Sequence, residues 1–323
     1  MELYLNIAYI LGGLVALFFG AEWLVKGAAR IALMVGISPL VVGLTVVAFG
    51  TSTPELLVCL EANADGFPDV ALGNVIGSNI CNIGLILGIA AIMRPIQIHR
   101  QIIRKEMPIL LVVSVLFVWM LHNGMVSRME GVLLFAGVVV YTVVSIVQSR
   151  KEENQEDFGD LDEADIEAAK KAGAKDVLIN VGWILFGLVV LKFGSDYLVH
   201  GGDYVARYIG IDDAIIALLL FAFGTSLPEL ATSIVAVRKG EGDLIVGNAI
   251  GSCIFNLLAV MGLTAMVKPI AEGQIELIDK VVMLGFTLGI FVFMWSSMKI
   301  KRWEGFLLCG IYATYCVVRA QMS

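Results

Sequence analysis

Residues 48–55 read Ala48-Phe49-Gly50-Thr51-Ser52-Thr53-Pro54-Glu55, and residues 222–229 read Ala222-Phe223-Gly224-Thr225-Ser226-Leu227-Pro228-Glu229. The two octets lie 174 positions apart, each inside a long apolar segment. A carboxylate at the centre of a membrane span costs about 2.5–3.5 kcal/mol on insertion scales, so an acid there marks a functional site. Two such acids in matched surroundings point to one shared cation site.

The surrounding chain is built for lipid. Of its 323 residues 59% are hydrophobic and 16% charged, against about 25% charged in a soluble chain. Apolar runs near residues 3–25, 38–60, 70–93, 108–121, 130–148, 177–199, 213–237, 244–267, 281–298 and 305–320 are the candidates for spans of about 30 Å of hydrocarbon. The fourth and tenth are the shortest. The net charge of -7 says little about partners, because the acids concentrate between residues 150 and 176. That hydrophilic stretch reads as a solvated linker rather than a binding tail. Cys59, Cys81, Cys253, Cys309 and Cys316 sit in apolar segments with no disulfide or zinc spacing, and read as small packing residues. The chain starts Met1-Glu2 without a basic n-region, so the first run is expected to be a retained helix.

The 174-residue offset extends far beyond the octets. Phe19-Gly20-Ala21-Glu22 aligns with Phe193-Gly194-Ser195-Asp196, and Asp69 with Asp243. Gly73-Asn74, Ile76-Gly77-Ser78 and Asn82 align with Gly247-Asn248, Ile250-Gly251-Ser252 and Asn256. Pro95-Ile96 aligns with Pro269-Ile270. A constant offset over most of each half means duplication. The expected architecture is an all-α membrane protein of ten transmembrane helices in two five-helix repeats, residues 1–149 and 177–323, joined by the acidic linker 150–176.

Five spans per repeat is odd, so the second copy enters the membrane from the opposite side. Basic residues support this. With the N-terminus outside, the cytoplasmic loops hold sixteen Lys and Arg and the opposite face five, Lys192 alone lying within a span. This satisfies the positive-inside rule with both termini extracytoplasmic and the 150–176 loop cytoplasmic. Inverted repeats place substrate sites near the midplane, between the halves.

The octets explain what such a site is made of. Proline lacks an amide hydrogen and clashes with the carbonyl four residues back, so Pro54 frees Gly50 and loosens Thr51, and Pro228 does the same to Gly224 and Thr225. Irregular backbone at membrane depth is tolerated where it lines a cavity. Carbonyls and hydroxyls thus stand one turn from a carboxylate, and all are hard oxygen ligands. Calcium takes about 6–8 oxygens; Glu55 and Glu229 supply about four and the kinked turns the rest. Sodium suits the same oxygens. In the second repeated element Ser78 and Asn82 are four apart and share a helix face, as do Ser252 and Asn256.

These paired Gly-Thr-Ser-x-Pro-Glu and Gly-Ser-x-Ile-x-Asn motifs resemble the two α-repeats of the sodium/calcium exchanger family, within the calcium:cation antiporters. The resemblance covers nearly all ten spans. It implies exchange of sodium for calcium by alternating access. It also implies that Glu55, Glu229 and the Thr51 and Thr225 carbonyls hold calcium. By the same resemblance, Ser52, Ser78, Ser226, Ser252 and the Ala48 and Ala222 carbonyls serve flanking sodium sites, with Asn82 and Asn256 lining the centre. One departure is visible: members of the family often carry aspartate at one of the last pair, and this chain has asparagine at both.

Other functions weigh less. Calcium/proton exchange on the same scaffold is the nearest alternative, since a bare glutamate pair can carry protons, although the proton-coupled branch's Gly-Asn-Ala-x-Glu motif is absent. An intramembrane enzyme lacks a nucleophile–base pair, a histidine cluster and a phosphate loop. A passive channel fits duplicated broken helices poorly. Transported calcium and sodium and the lipid bilayer are the expected partners; no cofactor, nucleic acid or obligate protein partner is expected. Glu22 and Asp196 match across the repeats, either as interfacial charges or as vestibule residues. His99, His122 and His200 have no metal-ligand spacing.

Overall fold

The structure, a computed structural model, describes residues 2–152, 173–210, 224–272 and 275–322. In chain order the helices are α1 (Glu2–Val35), α2 (Pro39–Thr51), α3 (Thr53–Ala64), α4 (Pro68–Met93) and α5 (Met107–Met120). After these come α6 (Arg128–Glu152), α7 (Ala174–Tyr208), α8 (Leu227–Lys239), α9 (Gly242–Val267), α10 (Leu277–Ser297) and α11 (Arg302–Met322). The protein is helical, as expected. The additions among the described residues are four two-residue strands: β1 (Ile96–Gln97) pairs with β4 (Lys299–Ile300), and β2 (Met125–Val126) with β3 (Ile270–Ala271).

Among the described residues seven helices are long and apolar enough to cross a membrane, and α2 with α3 makes an eighth, bent by 40°. The other two expected spans differ for separate reasons. The fourth is α5, only 14 residues long and entered through a π-helical turn, Ile102–Glu106, that carries Arg104, Lys105 and Glu106. The seventh is described only from residue 224, and most of the 150–176 linker likewise lies outside the described residues. The first run is longer than its apolar core suggested, because Gly27, Ala28, Ile31 and Ala32 continue α1 with a buried face.

Burial sorts the helices. The most apolar window is 78% buried in α4 and 83% in α9, against 22% in α1 and 11% in α11. So α4 and α9, which carry the serine and asparagine pairs, form the core, and α1 and α11 present their apolar sides to lipid. The bend between α2 and α3 falls where Pro54 predicts it. Ser52 takes φ −82°, ψ 5°, and Ser226 before α8 takes φ −89°, ψ 6°, so both octets leave the helix in the same way.

Contacts recur when the two halves are exchanged. α1 and α7 run antiparallel along a seam of glycines: a Cβ on Gly13 would stand 2.7 Å from the Gly194 carbonyl, and one on Gly187 2.7 Å from the Gly20 carbonyl. Gly187 is the equivalent of Gly13 and Gly194 of Gly20, at the 174-residue offset. Backbones this close are what small residues permit between membrane helices. β1–β4 and β2–β3 are equivalent pairs in the same sense, as are the π-helical turns Asn82–Ile86 and Asn256–Val260. Asn79 and Cys253, themselves equivalents, touch each other: Asn79 Nδ2 donates to the Cys253 carbonyl at 3.3 Å, and Cys253 Sγ to the Asn79 carbonyl at 3.8 Å.

Candidate functional site

Glu55 opens α3 and Glu229 opens α8, each in the first turn after its broken backbone. Both side chains are fully buried. Ser78 Oγ and Ser226 Oγ lie 3.5 Å from Glu55 Oε1, and Ser52 Oγ lies 3.5 Å from Glu229 Oε1. These are long for hydroxyl–carboxylate contacts, which close to about 2.5–2.7 Å when charge-assisted. The second oxygen of each glutamate, Oε2, has no hydrogen-bond partner among the described residues.

The remaining candidates surround this pair. Thr51 Oγ1 donates to its own helix at the Val47 carbonyl, 3.1 Å, and lies 3.1 Å from Asn248 Oδ1 and 3.5 Å from Ser252 Oγ. Asn74 Nδ2 donates to Thr225 Oγ1 at 3.3 Å. Ser78, Asn82, Ser252 and Asn256 are all fully buried on α4 and α9. Asn82 and Asn256 are each the first residue of a π-helical turn, where the widened backbone is a recurrent feature of functional sites. The Ala48 carbonyl accepts the Ser52 amide at 3.0 Å and lies 3.4 Å from Thr51 Oγ1. Ala222 lies outside the described residues.

Buried polar atoms are normally satisfied, and each exception needs an explanation. Among the described residues ten buried side-chain atoms lack a partner. Six of them are Glu55 Oε2, Glu229 Oε2, both amide atoms of Asn82, Asn256 Oδ1 and Asn248 Nδ2. Four of those six are oxygens, and the other two belong to the amides of Asn82 and Asn248. The donor set is the hard-oxygen kind that suits a dehydrated sodium or calcium ion as cargo.

Three residues belong to this cluster that the sequence reading assigned no role. Asn74 and Asn248 stand in the repeated Gly-Asn element, so their signal was present as repetition. Asn79 had none, because its equivalent is Cys253.

A cavity of about 1190 Å³ reaches the cluster from one side, lined by Pro54, Asn74 and Thr225 at its floor and by Tyr9, Glu61 and Asp203 among others. It breaks the symmetry of the site: Thr225 is half-buried where its equivalent Thr51 is 1% exposed. Asp196 and Lys192 line the same cavity and pair with each other at 2.5 Å. Glu22, the equivalent of Asp196, pairs instead with Lys239 at the end of α8, 2.6 Å away. The histidines remain outside the cluster; His99 pairs with Asp243 at 3.2 Å.

Known proteins bear the same pattern. The profile of the family described as sodium/calcium exchanger protein matches residues 5–147 and again 179–321, two matches offset by the same 174 positions. The inner membrane protein YrbG of Escherichia coli K12 is 36% identical over 321 residues, covering 98% of this chain and 97% of its own. The sodium/calcium exchanger MaX1 of Methanosarcina acetivorans is 31% identical, covering 97% of this chain and 98% of its own. A solved structure of the sodium-calcium exchanger NCX_Mj, soaked with 10 mM Na+ and zero Ca2+, superposes with a TM-score of 0.83 at 30% identity. It covers 97% of this chain and 98% of that one. An integral membrane protein with this fold, this duplication and this pair of buried acids belongs to the sodium/calcium exchanger family.

Proposed function

We propose that the protein is an inner-membrane antiporter that imports sodium and exports calcium by alternating access. The observation that carries this reading is the pair Glu55 and Glu229, two fully buried carboxylates each with an oxygen that no group among the described residues satisfies. One divalent ion neutralises both acids, removing most of the penalty of burying either. Two sodium ions do the same, and a third makes the cycle electrogenic, worth about 2.3 kcal/mol per 100 mV.

In this reading the ten spans divide into inverted five-helix repeats, 1–149 and 177–323, with Glu55, Thr51, Ser52, Ser78, Asn82 and the Ala48 carbonyl from the first. Glu229, Thr225, Ser226, Ser252, Asn256 and the Ala222 carbonyl come from the second. The antiparallel α1–α7 seam supports the inversion. Both termini are extracytoplasmic and the 150–176 loop cytoplasmic. In support, β1–β4 joins two loops that the basic-residue bias places in the cytoplasm, and β2–β3 joins two that it places outside. The cavity floored by Thr225 then opens outward, because Tyr9 and Asp203 stand near the outer ends of α1 and α7.

Calcium uptake into proteoliposomes preloaded with sodium, at matched pH, tests the proposal. Uptake in wild type that is lost in Glu55→Gln supports sodium-coupled exchange. Uptake under a proton gradient but not a sodium gradient would replace sodium with protons. Silence under both would reject the calcium assignment.

A further inference from the structure

The sequence equates Asn82 with Asn256, yet the fold treats their amides differently. Asn256 Nδ2 donates to Asn79 Oδ1 at 3.2 Å. Asn79 is itself fixed end for end, because its Nδ2 donates to the Cys253 carbonyl at 3.3 Å and a carbonyl can only accept. Asn79 Oδ1 is therefore the atom left to face Asn256, and it can hold Asn256 only by an N–H. The far end of that amide, Asn256 Oδ1, has no hydrogen-bond partner among the described residues. Asn256 shares a helix face with Ser252, whose hydroxyl touches Thr51 in the cluster.

At the equivalent place on the other side, position 253 is cysteine. Its thiol lies beside Asn82, but a thiol is a weak donor and a weak acceptor. Beyond that thiol, neither amide atom of Asn82 has a hydrogen-bond partner among the described residues. Asn256 is gripped at this place by an amide, and Asn82 meets only the weaker thiol of Cys253.

We propose that Asn79 is a positioning residue: it grips the Asn256 amide by its nitrogen and so presents Asn256 Oδ1 as an oriented oxygen donor to the cation. Asn79 acts through Asn256 and does not itself touch the ion. The inference rests on the cation reading above and adds a residue to it. It also makes the site lopsided, with an amide held by asparagine in the second half and an amide beside only a thiol in the first. An oriented dipole that costs no reorganisation binds a cation more tightly than one that must first be turned.

The test is a double-mutant cycle in full-length protein: wild type, Asn79→Ala, Asn256→Ala and the double variant, each assayed for the calcium KM of sodium-driven exchange. Asn79→Cys, which places at position 79 the residue already accommodated at 253, serves as a second variant should alanine impair folding. Each single change is expected to raise the calcium KM about tenfold, with kcat less affected, as for loss of one hydrogen bond to a charged group. The double variant is expected to be no worse than Asn256→Ala alone. Losses that multiply to about a hundredfold would show that Asn79 acts independently of Asn256, and would overturn the inference. So would an unchanged KM in Asn79→Ala and Asn79→Cys. If wild type shows no sodium-driven flux, the exchange reading fails separately, and the same cycle is read in the shift of the thermal midpoint with calcium or sodium. A shift diminished equally in the singles and the double then supports the positioning role. No shift in wild type with either ion overturns it.

Discussion

Ser226 Oγ lies 3.5 Å from Glu55 Oε1, so the acid of the first half is met by a hydroxyl of the second. The relation returns with the halves exchanged, Ser52 Oγ standing 3.5 Å from Glu229 Oε1. Neither half supplies all the polar groups around its own acid. A shift of one half against the other therefore alters both carboxylate surroundings together, which is what coupling a binding site to a change of access requires.

Replacing either acid should remove ion binding without removing the fold. A ligand at about 100 times its Kd stabilises a protein by about 2.7 kcal/mol. Calcium is expected to raise the thermal midpoint of the wild type in detergent. Glu55→Gln and Glu229→Gln should each stay folded, because a buried amide costs less than a buried charge, and should lose the calcium shift. A full calcium shift in either variant would place the ion elsewhere.

The serines should separate the two ions. Ser52→Ala and Ser226→Ala each delete a hydroxyl that faces the opposite acid, and the family resemblance assigns these hydroxyls to sodium. Half-saturating sodium is expected to rise about fivefold to tenfold in each, for about 1 kcal/mol per neutral ligand, with the calcium KM moving less. Transport measured across sodium concentrations at fixed calcium gives the ratio. Equal rises for both ions would make the serines shared ligands.

Much of the site was legible because duplication wrote it twice. The octets, the Gly-Asn element and the proline breaks recur at one offset, and their physical chemistry names hard-oxygen ligands without a structure. The bend at Ser52 and its equivalent geometry at Ser226 follow from Pro54 and Pro228. What repetition could not reveal lies where the halves differ. Asn79 faces cysteine in the other copy, and Lys239, which pairs with Glu22, is equivalent to Asp65. The glycine seam of α1 and α7 escaped for another reason: its residues recur every seven positions within one helix, a spacing that signals close packing only once the partner helix is known. The span at α5 was weak by length, since charged Arg104, Lys105 and Glu106 interrupt the apolar run just before it.

Gly251 is expected to be intolerant and Gly285 tolerant. A Cβ on Gly251 would stand 2.7 Å from the Leu44 carbonyl and 2.8 Å from Ala48 Cβ, so α9 and α2 must part. Overpacking of this sort costs about 1–3 kcal/mol, and here the parting displaces Ser252 from Thr51. A Cβ on Gly285 would meet nothing within 4 Å. Gly251→Ala should lower both the thermal midpoint and the exchange rate, while Gly285→Ala should leave the rate unchanged and the midpoint unchanged or higher. A tolerant Gly251 would mean the two helices are not held this close.

The ion pair between Glu22 on α1 and Lys239 at the end of α8 ties together two helices on the side opposite the cavity. Arg238 adds to the tie, its guanidinium carbon 5.5 Å from the Phe18 ring centre. At the cavity, Asp196 is held instead by Lys192 of its own helix, a bond that spans no mouth. On the proposed cycle the α1–α8 pair favours the outward-open state. It is partly exposed, with side chains 37% and 26% accessible, so its contribution is at most about 1 kcal/mol, or about fivefold in population. Glu22→Gln and Lys239→Gln should each raise the rate at which a cysteine placed at Val237, in a background free of other cysteines, is labelled from the cytoplasmic side. The exchanged pair Glu22→Lys with Lys239→Glu should return that rate toward the starting value. Labelling that ignores all three changes would mean the mouth is closed by helix packing and not by this charge pair.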